Sequence, residues 1–254
     1  MIFEEQFIFF PAVYPEGNYQ SIPRSLNLED HWFTTADGVR LHGWLVRADA
    51  ASPALVVSHG NAGNISHRLE LIRRLHRIGC TVFIYDYRGY GRSEGSPSEQ
   101  GVYLDGAAAF DYLVSLDGID PKRVALFGQS LGGAVAVDVA SKRRPAALIL
   151  EATFSSARDV AAELYSLLPA RFFLRSKFDS ESKIRTISVP LLVLHGSVDS
   201  IIPVKLGRKL YDAANPPKEF FEVQGASHND LFLVGGDRYI QKLREFLISA
   251  LLLP

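Results

Sequence analysis

The sequence predicts an α/β protein built on a mainly parallel, doubly wound sheet of about eight strands, with helices on both faces. Two observations predict this class. Short apolar runs alternate along the whole chain with segments of helical periodicity. The runs are also apolar throughout, as expected of strands in a parallel sheet that is covered on both faces.

The composition is that of an ordinary soluble globular protein. Of the 254 residues, 47% are hydrophobic and 22% are charged, and the formal net charge is −1. That charge argues against broad electrostatic attraction to nucleic acid or to an anionic membrane. No repeat, low-complexity tract or linker divides the chain, so we expect a single domain over residues 1–254.

The chain ends and the one cysteine bear on location. Residues 1–13 and 246–253 are apolar but too short to span a bilayer, so we expect no transmembrane segment. We expect residues 1–13 to form an edge strand and residues 246–253 to belong to a helix docked on the core. Cys80 adjoins an apolar strand, which predicts a buried thiol. A single cysteine forms no internal disulfide, which favours a reducing, cytoplasmic location.

The first half of the chain predicts a β-hairpin followed by two strand–helix units. The hairpin strands, 31–35 and 39–47, flank a turn at Ala36-Asp37-Gly38. A capping box over Ser96-Pro97-Ser98-Glu99, with proline at the first helical position, predicts the start of the second helix. The other predicted elements are strand 54–58, a helix from 65 to about 79, strand 81–85 and the end of the second helix near 116.

The second half predicts four more strands and three helices. The strands are expected at 124–127, 147–151, 191–195 and 219–223, and the helices at 134–140, from 203 to about 213 and at 238–252. Between two of these strands, an apolar, proline-interrupted segment at about 154–190 replaces a standard crossover helix. Long insertions in compact domains are usually functional, so we expect a small helical lid. Its candidate substrate-contacting residues are Leu164, Tyr165, Leu168, Phe172 and Phe173.

The candidate nucleophile is Ser130, in Gly128-Gln129-Ser130-Leu131-Gly132 between a strand and a helix. This pattern has the form of a nucleophile elbow, in which flanking glycines allow a sharp, strained turn. A serine hydroxyl needs an adjacent base, and the base needs an orienting carboxylate.

Asp199 and His228 follow Ser130 in the order acid then base, each shortly after a predicted strand. Both therefore belong at the carboxyl edge of the sheet, where ligands bind in open parallel sheets. Rival acids are Asp212, Asp230 and Glu151, of which Glu151 also ends a strand. The other histidines lie in the hairpin, on a helix, in the loop after strand 54–58 or, as His195 does, before the acid.

An acyl-transfer site also needs donors for an oxyanion. We expect the backbone N–H of Leu131, at a helix N-terminus, to be one donor and that of Asn61 to be the other. His59 is expected to support this loop, and Asn64 to cap the next helix. This chemistry needs no metal and no organic cofactor.

Five linked motifs resemble the Bem46-like branch of the α/β-hydrolase superfamily. They are His59-Gly60-Asn61-Ala62-Gly63-Asn64, Asp86-Tyr87-Arg88-Gly89-Tyr90-Gly91-Arg92-Ser93, the Ser130 elbow, His195-Gly196 with Asp199, and Ser227-His228. The resemblance covers nearly the whole chain. It implies an α/β-hydrolase fold, a Ser130–Asp199–His228 triad and an oxyanion hole at Asn61 and Leu131. Many relatives carry an N-terminal membrane anchor before the part matching 7–19; this chain has none, so peripheral membrane association is expected only if such an anchor was removed.

The sequence thus predicts a serine hydrolase that cleaves carboxylic esters or thioesters of an apolar acyl group through an acyl-enzyme. The alternatives are an amidase or peptidase on the same triad, and a hydrolase-fold protein that binds ligands without turnover. A serine at position 130 argues against the dehalogenase and epoxide hydrolase chemistry that uses aspartate there. No P-loop and no G-x-G-x-x-G after the first parallel strand is present, which argues against nucleotide binding.

Overall fold

The structure is a computed structural model that describes residues 5–50, 52–164 and 175–251, apart from the side chain of Phe7. The strands are β1 (Phe10–Pro11), β2 (Glu29–Thr34), β3 (Arg40–Val46), β4 (Ala54–Ser58), β5 (Ala62–Gly63), β6 (Thr81–Tyr85), β7 (Val124–Gln129), β8 (Leu148–Glu151), β9 (Leu191–Gly196) and β10 (Lys218–Val223). The α-helices are α1 (Glu5–Ile8), α2 (Leu69–Arg77), α3 (Glu99–Val114), α4 (Leu131–Lys142), α5 (Ala157–Leu164), α6 (Ser180–Ile184), α7 (Val204–Ala213) and α8 (Leu231–Leu251).

Eight of these strands form one sheet in the order β10-β9-β8-β7-β4-β6-β3-β2. Strand β3 runs antiparallel to both of its neighbours, and the other pairings in the sheet are parallel. The predicted mainly parallel sheet of about eight strands is therefore confirmed. The chain switches direction across the sheet at β4, and the carboxyl ends of β4, β7, β8 and β9 meet at one edge, where ligands bind in such folds.

Helices cover both faces of the sheet. Residues of α2 and α8 pack with one buried apolar cluster, and residues of α3, α4, α6 and α7 pack with the other. Strands β4 and β6 are buried over their whole length, which explains their solidly apolar sequences. Among the described residues, no helix combines the length and apolarity that crossing a bilayer requires.

Several predicted boundaries were wrong at helix ends. Helix α3 is capped by Ser98, whose Oγ accepts the N–H of Gly101 at 3.1 Å, so it begins two residues later than the predicted box. Glu99 instead accepts the backbone N–H groups of Lys177 and Phe178. Helix α8 is two helical stretches separated at Gly236, where φ is 50° and ψ is −133°; the second stretch agrees with the predicted helix at 238–252, and the first was not predicted.

The N-terminal segment does not form the expected edge strand. It makes one helical turn, α1, and then β1 pairs in parallel with β5 in a separate two-stranded sheet. Strand β5 lies in the loop after β4, so this segment is held over the carboxyl edge of the main sheet.

The predicted lid segment has two described parts. Helix α5 follows β8, whereas α6 and Ile187 join the core, with Ile184 1% and Ile187 5% exposed. The region around Ile184 and Ile187 therefore packs in the core, and the lid stays a prediction for the rest of the segment. Tyr165, Leu168, Phe172 and Phe173 lie outside the described residues.

Candidate active site

Ser130 lies at the junction of β7 and α4 in a strained backbone conformation. Its φ of 54° and ψ of −117° fall in a region that residues with a side chain rarely adopt. The surrounding hydrogen bonds hold this conformation: Ser130 N–H donates to Glu151 O at 2.9 Å, and Ser130 O accepts from Gly133 N–H and Thr153 Oγ, each at 2.9 Å.

The glycines of the elbow are required by close backbone approach. A Cβ at Gly132 would lie 1.9 Å from the carbonyl oxygen of Ser58 on β4, and one at Gly128 would lie 2.4 Å from Gly132 O. Both contacts are with backbone, which cannot rotate away. The glycine spacing therefore brings the start of α4 directly against the central strands.

The structure brings Ser130, His228 and Asp199 together. Ser130 Oγ lies 3.1 Å from His228 Nε2, and His228 Nδ1 lies 2.7 Å from Asp199 Oδ2. The loops that carry the acid and the histidine are tied to each other, since Val198 N–H donates to Ala226 O at 3.0 Å. His228 and Asp199 are buried, at 8% and 5% exposure, whereas Ser130 is partly exposed.

Each oxygen of Asp199 has its own set of partners. Oδ1 accepts the backbone N–H groups of Ile201 and Ile202, at 2.9 and 2.8 Å, and Oδ2 faces His228. Burial favours the neutral acid, but interactions with the His195 and His228 rings outweigh it and hold the pKa of Asp199 well below its usual range. The carboxylate is therefore charged and fixed, which orients His228 with its proton on Nδ1 and its Nε2 free to accept a proton.

The residues expected to supply the two oxyanion donors, Asn61 and Leu131, line the same cavity as Ser130. Within the described part of the chain, neither Asn61 N–H nor Leu131 N–H donates to another residue. The Asn61 side chain is held by Tyr90 Oη, which donates to Asn61 Oδ1 at 2.9 Å. A Cβ at Gly60 would lie 3.7 Å from Ser130 Cβ, so this loop passes directly over the serine.

His59 supports this loop from beneath. It is fully buried, and desolvation lowers its pKa to about 3, so the ring is neutral. Its Nδ1–H donates to Gly60 O at 2.7 Å, and Tyr87 Oη donates to His59 O at 2.8 Å. These bonds fix the residues that precede Asn61.

Glu151, the strongest rival acid, belongs to a separate network. It lies beside the elbow, where it accepts a hydrogen bond from Gln129 Nε2 at 2.8 Å and another from Tyr239 Oη. Burial raises the pKa of Glu151 despite these two donors and the nearby His228. The roles of Gln129 and Tyr239 were not predicted from the sequence, although the position of Gln129 inside the elbow was a signal for its role.

A cavity of about 780 Å³ lies over Ser130 and His228. One wall is apolar and comes from α1, β1, the segment around α5 and the loop after Asp199; its residues are Ile8, Phe10, Phe154, Ala157, Val160, Ala161, Phe178, Ile201 and Ile202. A second part of the lining, called here the polar wall, includes His67, Arg68, Glu70, Arg74, Gln129 and Asn229, together with the apolar Leu71. The lid candidate Leu164 is 45% exposed and does not line this cavity.

No group of three or more histidine, cysteine, aspartate or glutamate residues in the described ranges could hold a metal ion. The arrangement of Ser130, His228 and Asp199 at the carboxyl edge of a β4-centred sheet, with an elbow between β7 and α4, is that of an α/β hydrolase.

Comparisons with known proteins agree with this class. The family profile "Serine aminopeptidase, S33" matches residues 49–186. The chain is 40% identical to an uncharacterized protein of Mycobacterium tuberculosis, Rv2307c, over 98% of this chain and 89% of that protein. It is 34% identical to the Schizosaccharomyces pombe protein bem46, over 94% and 84% of the two chains. The chain belongs to the S33-like α/β hydrolases and to the Bem46-like proteins among them, which confirms the resemblance seen in the motifs.

Solved structures show the same fold. The Pyrococcus furiosus esterase Pf2001 superposes with a TM-score of 0.79, over 95% of this chain and 98% of that chain, at 22% sequence identity. At that identity the likeness concerns the fold alone.

Proposed function

We propose that this protein is a serine hydrolase that cleaves carboxylic esters or thioesters of an apolar acyl group. The observation that carries the proposal is the continuous chain of hydrogen bonds from Ser130 Oγ through His228 to Asp199, at 3.1 and 2.7 Å, in a cavity with an apolar wall. Ser130 is the nucleophile, His228 the general base and acid, and Asp199 the group that orients His228.

In the first half-reaction, Ser130 Oγ attacks the acyl carbonyl carbon while its proton passes to His228 Nε2. The carbonyl oxygen becomes an oxyanion, which accepts hydrogen bonds from the N–H groups of Asn61 and Leu131. The tetrahedral intermediate collapses, the bond to the leaving group breaks, and His228 returns the proton to the leaving oxygen or sulfur. Water then attacks the acyl-enzyme with His228 as base and releases the carboxylic acid and Ser130.

The walls of the cavity support the proposed substrate class. Phe154, Val160 and Phe178 lie on the apolar wall beside Ser130, where an acyl chain would bury its methylene groups at about 0.8 kcal/mol each. A protein with the same fold, Pf2001, is described as an esterase, and this analogy of fold is the reason for testing esters first. The matched family profile is described as an aminopeptidase, which favours amide cleavage as the second candidate.

The test is labelling with a fluorophosphonate probe, followed by turnover of a p-nitrophenyl ester series of increasing acyl length. Ser130→Ala should lose labelling and lower kcat by on the order of 10⁶-fold. Ser96→Ala, at an exposed serine outside the cavity, is the matched control and should keep both.

Two outcomes would reject the ester assignment. Faster cleavage of p-nitroanilides than of esters with the same acyl group would indicate an amidase. A native protein that neither labels nor turns over any of these substrates would indicate a protein that binds ligands without catalysis.

A further inference from the structure

The polar wall of the active-site cavity carries a net positive charge. The formally charged residues among those lining the cavity are Arg68, Glu70 and Arg74, which sum to +1 in a protein whose overall charge is −1. Glu70 is already neutralised, because Arg74 Nε lies 2.9 Å and Arg73 Nη1 3.6 Å from its carboxylate oxygens. The excess charge on this wall is therefore that of Arg68.

Arg68 has no carboxylate partner among the described residues. Its Nη2 donates to Ala62 O at 2.5 Å, but its buried Nε makes no hydrogen bond within the described ranges, and no described carboxylate lies within 4.0 Å of its guanidinium. The buried Asp86 acts on it from a greater distance. Desolvation by burial lowers the pKa of Arg68, which is the sign of a cation whose water has been removed without full replacement.

Two other side chains on this wall, His67 and Arg74, present hydrogen-bond donors. His67 Nδ1 accepts the Asn64 N–H at 3.2 Å in the capping box, which leaves Nε2–H as the donor of this ring. Arg74 is stacked on Phe232, with the guanidinium carbon 3.0 Å from the ring centroid, and this contact fixes it at the cavity. An anion bound here would meet Arg68 first, with donors from His67 beside it.

We propose that this wall is a subsite for a leaving group that carries a phosphate or carboxylate. The inference rests on the proposed hydrolase function: the acyl chain lies on the apolar wall, Ser130 attacks its carbonyl between the walls, and the anionic alcohol or thiol leaves toward Arg68. A partly buried guanidinium that gains a charge-assisted hydrogen bond favours the anionic substrate by about tenfold or more. The enzyme therefore prefers an acyl group joined to an acidic alcohol or thiol over the same acyl group on a neutral one.

Two substrate pairs test this and separate the two anions. A 3-acyloxy-4-nitrobenzoate compared with its neutral carboxamide tests a carboxylate, and an acyl coenzyme A compared with the acyl thioester of N-acetylcysteamine tests phosphate. The expected result is a kcat/KM at least about tenfold higher for the anionic member of one or both pairs, falling with added salt as screening increases. A preference in one pair only identifies the anion.

The variants Arg68→Gln and Arg68→Lys separate charge from structure. Arg68→Gln should abolish the preference, and Arg68→Lys should keep most of it, even if both alter the neutral rate through the lost bond to Ala62. Arg77→Gln removes an exposed arginine of α2 that neither lines the cavity nor pairs with Glu70, and should leave the ratio unchanged.

The failures are distinguishable. Hydrolysis of the neutral esters with no anionic preference, or a preference that survives Arg68→Gln, overturns the subsite and leaves the hydrolase proposal standing. Absence of Ser130-dependent hydrolysis of every ester and thioester overturns both.

Discussion

Asn in place of Asp199 is expected to lower activity by about 10³- to 10⁴-fold while the fold is kept. The reason lies in how the two oxygens are used. Oδ1 accepts two backbone N–H groups, from Ile201 and Ile202, and Oδ2 accepts Nδ1–H of His228. An amide has one oxygen, and that oxygen will face the two N–H donors, so its NH₂ will face His228.

This orientation places the proton of His228 on the wrong nitrogen. Nδ1 must accept from the amide, so Nε2 carries the proton and cannot take one from Ser130. Turning the amide around restores the productive tautomer but leaves two buried N–H groups without an acceptor, at about 2 kcal/mol each. A cost of about 4 kcal/mol corresponds to roughly 10³-fold, since each factor of ten is 1.36 kcal/mol.

The assay is kcat/KM on a p-nitrophenyl ester, with circular dichroism and thermal unfolding as checks of folding. Glu151→Gln is the matched control, because it changes the rival buried carboxylate beside Ser130 and should cost less than about tenfold. The reasoning would be refuted if Asp199→Asn kept more than a tenth of the activity. It would be reversed if Glu151→Gln caused the large loss instead.

Three further expectations concern the groups that support the site. Gly132→Ala should lower the free energy of unfolding in urea by about 4 kcal/mol or more, because its Cβ would lie 1.9 Å from Ser58 O. Gly60→Ala, whose Cβ has ordinary contacts at 3.6 Å and beyond, should change that free energy by less than about 1 kcal/mol. Equal losses in the two variants would contradict the clash at Gly132. Burial lowers the pKa of His59 from 6.5 to about 3, so its contribution to stability is complete above pH 6.5 and declines below that pH by up to about 1.4 kcal/mol per pH unit. His59→Gln should remove this contribution to the pH dependence of unfolding between pH 6 and 5. An unchanged pH dependence in the variant would contradict the assignment to His59. Burial raises the pKa of the Cys80 thiol to about 12, so the native protein should react with a disulfide reagent no faster than it unfolds, and rapid modification of folded protein would disprove this.

The sequence predicted the central strands well because their pattern has a single physical cause. The strands around Ser130 are buried on both faces, so each is an uninterrupted apolar run, and the structure places their ends within about two residues of the predicted ends. Helix ends were harder to predict because their position depends on partners far along the chain. The Glu99 side chain accepts the N–H groups of Lys177 and Phe178, so it does not make the capping-box hydrogen bond predicted with Ser96.

The two walls of the cavity lie beyond what one sequence reveals. Ile8, Phe154 and Phe178 come from three separate parts of the chain and meet only because β1 pairs with β5 and α5 follows β8. The charge of Arg68 is likewise not apparent from a segment that contains several arginines, since only packing shows that this one lines the cavity with a buried Nε and no carboxylate partner among the described residues.

Strand geometry also explains why Asp199, rather than Glu151, is suited to orient the histidine. Glu151 pairs in register with Gln129 on the neighbouring strand, one strand spacing of about 4.8 Å from the elbow. The orienting acid must instead be separated from Ser130 by the imidazole ring of His228 and by two hydrogen bonds, of 3.1 and 2.7 Å. This separation exceeds one strand spacing. Strand β9 lies two spacings from β7, and the loop after it carries Asp199 to that distance. Glu151 is too near Ser130 to reach His228 Nδ1. Instead, its backbone oxygen accepts the Ser130 N–H and its carboxylate accepts a hydrogen bond from Gln129.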